Sequence, residues 1–117
     1  MRTIAAISTG QAAGGIGIVR ISGENALSVA DRIFESVSGI KLEKLKGYTA
    51  AFGKVKADGK YLDEAVALVF RAPKSYTGED VVEISCHGGL LVTKQVLRAA
   101  LSNGAVPAEA GEFTKRA

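Results

Sequence analysis

The sequence predicts an α+β domain: a mixed β-sheet with two to three helices on one side. Three observations predict it. Short β-branched runs recur along the chain, two stretches carry apolar residues at helical spacing, and an Asp-Gly pair separates two extended runs. The resulting order, β-β-α-β-β-β-α-β, is that of an α+β fold. The 117 residues form one compact domain, 1–117, with too little chain for a second.

The elements follow in order. Thr3 to Ser8 (TIAAIS) reads as a first strand, and Thr9 to Gly15 as a small-residue loop. Ile16 to Ser22 (IGIVRIS) is apolar on both faces and reads as a buried strand. Ser22 is placed to cap a helix in which Ala26, Leu27, Ala30, Ile33, Phe34 and Val37 share a face, with Gly39 as its stop. Lys41 to Gly47 reads as a solvated connection. Tyr48 to Lys56 and Lys60 to Phe70 flank Asp58-Gly59, a hairpin signal because both turn residues need positive φ. Arg71 to Asp80 is a turn-rich loop, and Val81 to Ser85 a further strand. Cys86 to Gly89 leads into a helix from Leu90 to Asn103, closed by Gly104. Its inner stripe is Val92, Val96, Leu97, Ala100 and Leu101, with Lys94, Gln95 and Arg98 facing water. Ala105 to Ala108 is a last short strand, and Ala110 to Ala117 begins a helix that reads as cut mid-turn.

Composition narrows the function. A net charge of +3 permits contact with nucleic acid or an anionic ligand without arguing for either. One cysteine excludes an internal disulfide and a cysteine-rich metal site, and with one histidine a zinc site would need carboxylates to fill it. No metal site is expected. No apolar run approaches the roughly 20 residues that span a bilayer, and Met1 to Ile7 lack the pattern of a signal peptide, so the expected location is cytoplasmic, with no membrane partner.

Two charges stand where charge is costly: Arg20 within IGIVRIS and Glu83 within VVEIS. One reading is that they pair with each other or point out at a sheet edge. The sharper reading is a ligand fork. A carboxylate on a rigid strand accepts two parallel N–H bonds from the amidine edge of a pterin or guanine ring, and a nearby arginine holds a carbonyl or carboxylate of the same ligand.

Other candidates are weaker. His87-Gly88-Gly89 lies at a strand-to-helix junction, where backbone N–H groups favour an anion or polar ligand atom; a turn histidine satisfied by backbone is the simpler reading of His87. Cys86 reads as a small, partly buried filler, because adjacent strand residues such as Cys86 and His87 point to opposite faces and make a poor dyad. Gly15-Ile16-Gly17-Ile18-Val19-Arg20 imitates a dinucleotide fingerprint but precedes a strand and carries Arg where the third glycine belongs. A phosphate-binding G-x-x-x-x-G-K-[ST] loop is absent from the sequence. Ser75 to Asp80 (SYTGED) reads as a turn around Gly78 or as a wall of a binding site. No catalytic constellation emerges.

Taken together, GGIGIVRISG (Gly14 to Gly23), APKSYTGEDVVEISCHGG (Ala72 to Gly89) and GEFTKRA (Gly111 to Ala117) resemble, in wording, order and spacing, the amino-terminal domain of the MnmE (TrmE) family of tRNA-modification GTPases. The resemblance implies a domain similar to the folate-binding domain of aminomethyltransferases, holding a tetrahydrofolate derivative (5-formyl or methylene) as one-carbon source and forming a homodimer. It implies a full-length GTPase, with GTP, potassium and magnesium bound in a domain that is absent from this chain, as is a helical domain. The implied partners are tRNA and an MnmG-type flavoprotein carrying FAD, which together place aminomethyl or carboxymethylaminomethyl groups on carbon 5 of the wobble uridine. By motif, Arg20 and Glu83 correspond to folate contacts, with Gly14, Gly15, His87 and Gly88 as weaker candidates for lining the site. A further basic contact of the family falls beyond Ala117. This chain departs from the family's Pro-Pro-Gly opening at Ser8 to Ala13, and Ala110 replaces its proline before GEF. Two other classes remain open: an assembly module in which Arg20 and Glu83 merely pair, and a tRNA-contacting domain, for which three Tyr, four Phe and no Trp offer few stacking platforms.

Overall fold

The computed structural model describes residues 2–8 and 15–117. The strands are β1 (Ile4–Ile7), β2 (Gly17–Ser22), β3 (Phe34–Ser36), β4 (Thr49–Ala57), β5 (Lys60–Phe70), β6 (Val81–Cys86) and β7 (Val106–Pro107). The helices are α1 (Ala26–Ile33), α2 (Gly89–Ser102) and α3 (Glu112–Arg116). They build one mixed seven-stranded sheet in the order β3-β4-β5-β6-β2-β1-β7, in which only β1 and β7 pair in parallel. This is the α+β architecture that the residue patterns predict. The small-residue loop falls largely on residues 9–14, outside the described ones, and Gly14 with it.

Alternation along the strands divides the sheet into two faces. Val19 and Ile21 of β2, Ala65, Ala67 and Val69 of β5, and Val82, Ile84 and Cys86 of β6 are buried in one core with Leu27, Val29, Ala30 and Ile33 of α1 and Val96, Ala99 and Ala100 of α2. Helix α2 lies so close to β2 that a Cβ on Gly17 would sit 2.0 Å from Thr93 Oγ1. Only a residue without a side chain fits there. Lys94, Gln95 and Arg98 face solvent, but the fully buried stripe is Thr93, Val96, Ala99 and Ala100; Val92, Leu97 and Leu101 pack at its margin. The opposite face carries Arg20 and Glu83 and is covered at one end by the 71–80 loop and α3.

The hairpin forms as its turn residues require, with Asp58 at φ 53° and Gly59 at φ 76°. Three other expectations are corrected. Helix α1 stops at Ile33, and Phe34 begins a strand in register with Val55 of β4. Sheet pairing overrides the helical spacing here: β3 satisfies the outer edge of β4, and buries Phe34, while Val37 is left exposed. Ser22 does not cap α1; Asn25 occupies that position and its N–H bonds Thr3 Oγ1 at 3.0 Å. The Lys41 to Gly47 connection is not simply solvated. It contains a 3₁₀ turn, Leu42–Lys44, with Leu42 fully buried. Asp31 fixes that turn, its Oδ1 and Oδ2 accepting the Leu42 and Glu43 N–H groups at 2.7 and 3.2 Å.

Candidate ligand-binding cleft

Strands β2 and β6 run antiparallel with Arg20 directly opposite Glu83. The register continues the row across the sheet: Ala6 on β1, Arg20, Glu83, then Leu68 on β5. Arg20 Nε and Nη2 each lie 2.8 Å from the same carboxylate oxygen, Glu83 Oε2. Both side chains are about one-fifth exposed, at 22% and 18%. Glu83 Oε1 and Arg20 Nη1 have no hydrogen-bond partner among the described residues. The pair therefore exists, and among the described residues each member has an edge that no other group uses.

Two aromatic rings flank the guanidinium. Arg20 Cζ lies 5.2 Å from the Tyr76 ring centroid and 5.3 Å from that of Phe113, within cation–π range. Tyr76 comes from the 71–80 loop and Phe113 from α3, and Tyr76 Oη and Thr114 Oγ1 are 2.9 Å apart. These groups, with Ala6 and Ile7 of β1, line an open cleft of about 550 Å³, a size that suits a small-molecule ligand. Arg20 reaches the cleft wall, whereas Glu83 stands one strand further in, outside the lining.

The loop is tied down from below. Ser22 Oγ, two residues from Arg20 on β2, is 2.7 Å from Thr77 Oγ1 and donates to Glu79 Oε1 at 2.8 Å. Arg116 of α3 donates through Nη1 to both oxygens of Glu79, at 2.9 and 3.1 Å, and through Nη2 to Glu112 Oε2 at 3.0 Å.

The weaker candidates lie elsewhere. Gly17 pairs with Cys86 at the far end of β2 and β6, so Gly15 and the His87-Gly88 turn cluster there, roughly 10 Å along the strand from Arg20. The backbone donors of that turn already have an acceptor. Asp63 Oδ2 takes the N–H of His87 at 2.7 Å and of Gly88 at 2.9 Å. A carboxylate from β5 thus fills the place read as available to a ligand anion, and the His87 ring is exposed. Cys86 is fully buried on the helix-covered face, and burial, reinforced by the charge of Asp63, pushes its thiol up to about 11. It is a packing residue held as a neutral thiol at physiological pH.

Arg20, Glu83 and the Ser75 to Asp80 loop are conspicuous in the sequence, whereas Phe113, Arg116 and Asp63 are not. Phe113 and Arg116 lie in GEFTKRA, the motif that carries the resemblance; no spacing rule connects them to residue 20. Asp63 carried no signal at all.

A mixed sheet with α1 and α2 on one face, and on the other a cleft walled by Arg20, Tyr76 and Phe113 with Glu83 paired behind Arg20, defines a single α+β sheet domain. The chain belongs to the family described as GTP-binding protein TrmE N-terminus, whose model matches residues 3–117. Similar proteins named tRNA modification GTPase MnmE occur in Symbiobacterium thermophilum (57% identical over 98% of this chain), Chlorobaculum tepidum (52% over 97%) and Geobacillus kaustophilus (50% over 98%). The match covers 25%, 24% and 25% of those relatives, so the chain spans about a quarter of their length. Among the described residues, no helix is long and apolar enough to cross a membrane.

Proposed function

We propose that the chain is the amino-terminal part of a tRNA-modification GTPase and that its cleft holds a reduced folate, a 5-formyl or methylene tetrahydrofolate, in a homodimer. The whole protein then hydrolyses GTP, with potassium and magnesium, in a domain outside this chain. It acts in the cytoplasm with a flavoprotein of the MnmG type on the wobble uridine of tRNA. The observation that carries the folate reading is the half-used ion pair. Glu83 keeps Oε1 to accept from the amidine edge of a pterin, and Arg20 keeps Nη1 for a carbonyl or carboxylate of the same molecule. The flat walls given by Tyr76 and Phe113 suit a planar ring. Gly14, Gly15, His87 and Gly88 are secondary candidates, for a distal part of the ligand.

Calorimetric titration of the purified chain with 5-formyltetrahydrofolate, beside a mass measurement of the same sample, tests this. Binding to a dimer, weakened about 30- to 100-fold in Glu83→Ala, is the expected result. Identical titrations for the two proteins remove Glu83 from the site. The second reading, an assembly module, draws on the same ion pair: Arg20 and Glu83 then only hold β2 to β6. It predicts that Arg20→Ala/Glu83→Ala is less damaged in stability than either single variant, with no heat on adding folate.

A further inference from the structure

We infer that the Glu79–Arg116 ion pair positions the aromatic wall of the cleft, holding α3 against the 71–80 loop so that Phe113 and Tyr76 stay about Arg20. This rests on the folate reading for what the wall serves, but not for the wall itself. Residues 112–116 of α3 include no buried residue, so apolar packing alone does not hold them in place. What holds it is polar. Arg116 is only 8% exposed, and its guanidinium forks between Glu79, which it meets at 2.9 and 3.1 Å, and Glu112 at 3.0 Å. Charge-assisted contacts of this kind, with one partner almost out of water, are the strong ones.

The anchor continues into the sheet. Glu79 Oε1 accepts from Arg116 and from Ser22 Oγ, and Ser22 is fully buried on β2, on the same face as Arg20. The path Ser22–Glu79–Arg116 thus references α3 to the strand that carries Arg20. Phe113 lies one turn before Arg116, and its ring centroid is 5.3 Å from Cζ of Arg20. The Tyr76–Thr114 hydroxyl pair joins the two walls to each other. Losing the Glu79 charge leaves Arg20 and Glu83 untouched and lets α3 lift. Glu79 and Arg116 are therefore positioning residues, whereas Phe113 touches the ligand space directly.

The test compares the full chain with Glu79→Gln, Arg116→Lys and Phe113→Leu by amide hydrogen exchange and by titration with 5-formyltetrahydrofolate. Glu79→Gln keeps an acceptor for Ser22 and removes the charge. Exchange over residues 112–117 is expected to rise roughly fivefold or more, with the β2 and β6 amides unchanged, and folate affinity to fall roughly tenfold. Arg116→Lys, which keeps the charge and loses the fork, is expected to fall between Glu79→Gln and the parent in both. Phe113→Leu is expected to lose affinity with its 112–117 exchange unaltered. Parent-like exchange in both Glu79→Gln and Arg116→Lys overturns the inference, and so does parent-like affinity in a Glu79→Gln protein whose α3 has loosened. A parent chain that takes up no folate sinks the folate reading alone, because exchange still decides whether the ion pair holds the wall.

Discussion

Arg20 Nε and Nη2 converge on one oxygen of Glu83, Oε2, across the β2–β6 ladder. Arginine–carboxylate pairs frequently use both carboxylate oxygens in a fork; among the described residues, this one leaves Oε1 uncommitted. Because both side chains are only about one-fifth exposed, removing one partner leaves the other charge largely shielded from water and should cost the fold about 1–3 kcal/mol. Glu83→Gln, which keeps the shape and an acceptor but not the charge, is expected to lower the urea midpoint while folate affinity drops by an order of magnitude or more. A variant that loses stability and keeps affinity would assign the pair to the sheet alone.

Asp63 should matter more than its half-exposed position suggests. Its Oδ2 accepts the N–H groups of His87 and Gly88, and its Oδ1 accepts that of Glu64. Asp63→Ala strands the donors at the entry to α2, at an expected cost of about 1–2 kcal/mol by urea denaturation. Asp63→Asn keeps an acceptor and should recover part of that. Equal stability of all three proteins would show that water replaces the carboxylate without loss.

How far the residues alone reveal this molecule depends on the range of the interaction. Asp58-Gly59 is legible because a two-residue turn demands positive φ from both positions, a purely local constraint. Strands β2, β5 and β6 are legible from their β-branched runs. Phe34 is not, because Ala30, Ile33, Phe34 and Val37 also satisfy a helix, and what decides is the open edge of β4, whose partners in register lie 17 to 21 residues away. A close approach at Gly53, where a Cβ would meet the Glu35 carbonyl oxygen at 2.2 Å, is part of that pairing and invisible locally. In the cleft, the charges of Arg20 and Glu83 were conspicuous in apolar strands. Tyr76 was visible only as part of the distinctive Ser75 to Asp80 loop, and Phe113 gave no signal of its own, since only the placement of β2 between β6 and β1 brings positions 20, 76 and 113 together.

Gly17 tests the contact between α2 and β2. An added Cβ would stand 2.0 Å from Thr93 Oγ1 and 2.8 Å from its Cγ2, and Thr93 is itself buried. Gly17→Ala should therefore destabilise the chain by about 1–3 kcal/mol through overpacking. Gly17→Ala/Thr93→Ala vacates the clash and is expected to recover much of that loss. If Gly17→Ala melts with the parent, α2 does not sit as closely on β2 as described.

Cys86 gives a pH dependence with a definite sign. Burial first, then the Asp63 charge, raises its thiol from 9.0 to about 11. In the unfolded chain the thiol ionises near 9.0, while the folded chain resists until about 11. The preference for the folded state is complete below 9 and is lost as pH climbs from 9 towards 11. A thiol reagent at pH 8 should leave native Cys86 unmodified and label it promptly in urea. Because other groups also titrate above pH 9, the comparison with Cys86→Ala isolates the effect: the parent should lose stability more steeply over that range. Parallel curves would count against a protonated, buried thiol.

Glu112 works in the opposite direction, at the acid end. The Glu109 N–H, donated at 2.9 Å, is the main cause that lowers its carboxyl below the usual 4.5; burial opposes it in part, and the Arg116 guanidinium and the more distant Arg2 charge add to the lowering. A carboxyl lowered in the folded state favours that state above its unfolded value, and the contribution is lost as pH falls through the lowered one. Helix α3 should therefore be held at neutral pH and loosen in acid. Hydrogen exchange over residues 112–117, corrected for the intrinsic rate at each pH, is expected to show less protection at pH 3 than at pH 6. Glu112→Gln, which keeps an acceptor but cannot titrate, should remove part of that difference. Protection that stays constant across this range in the parent would mean that α3 is held by packing instead of by its carboxylates.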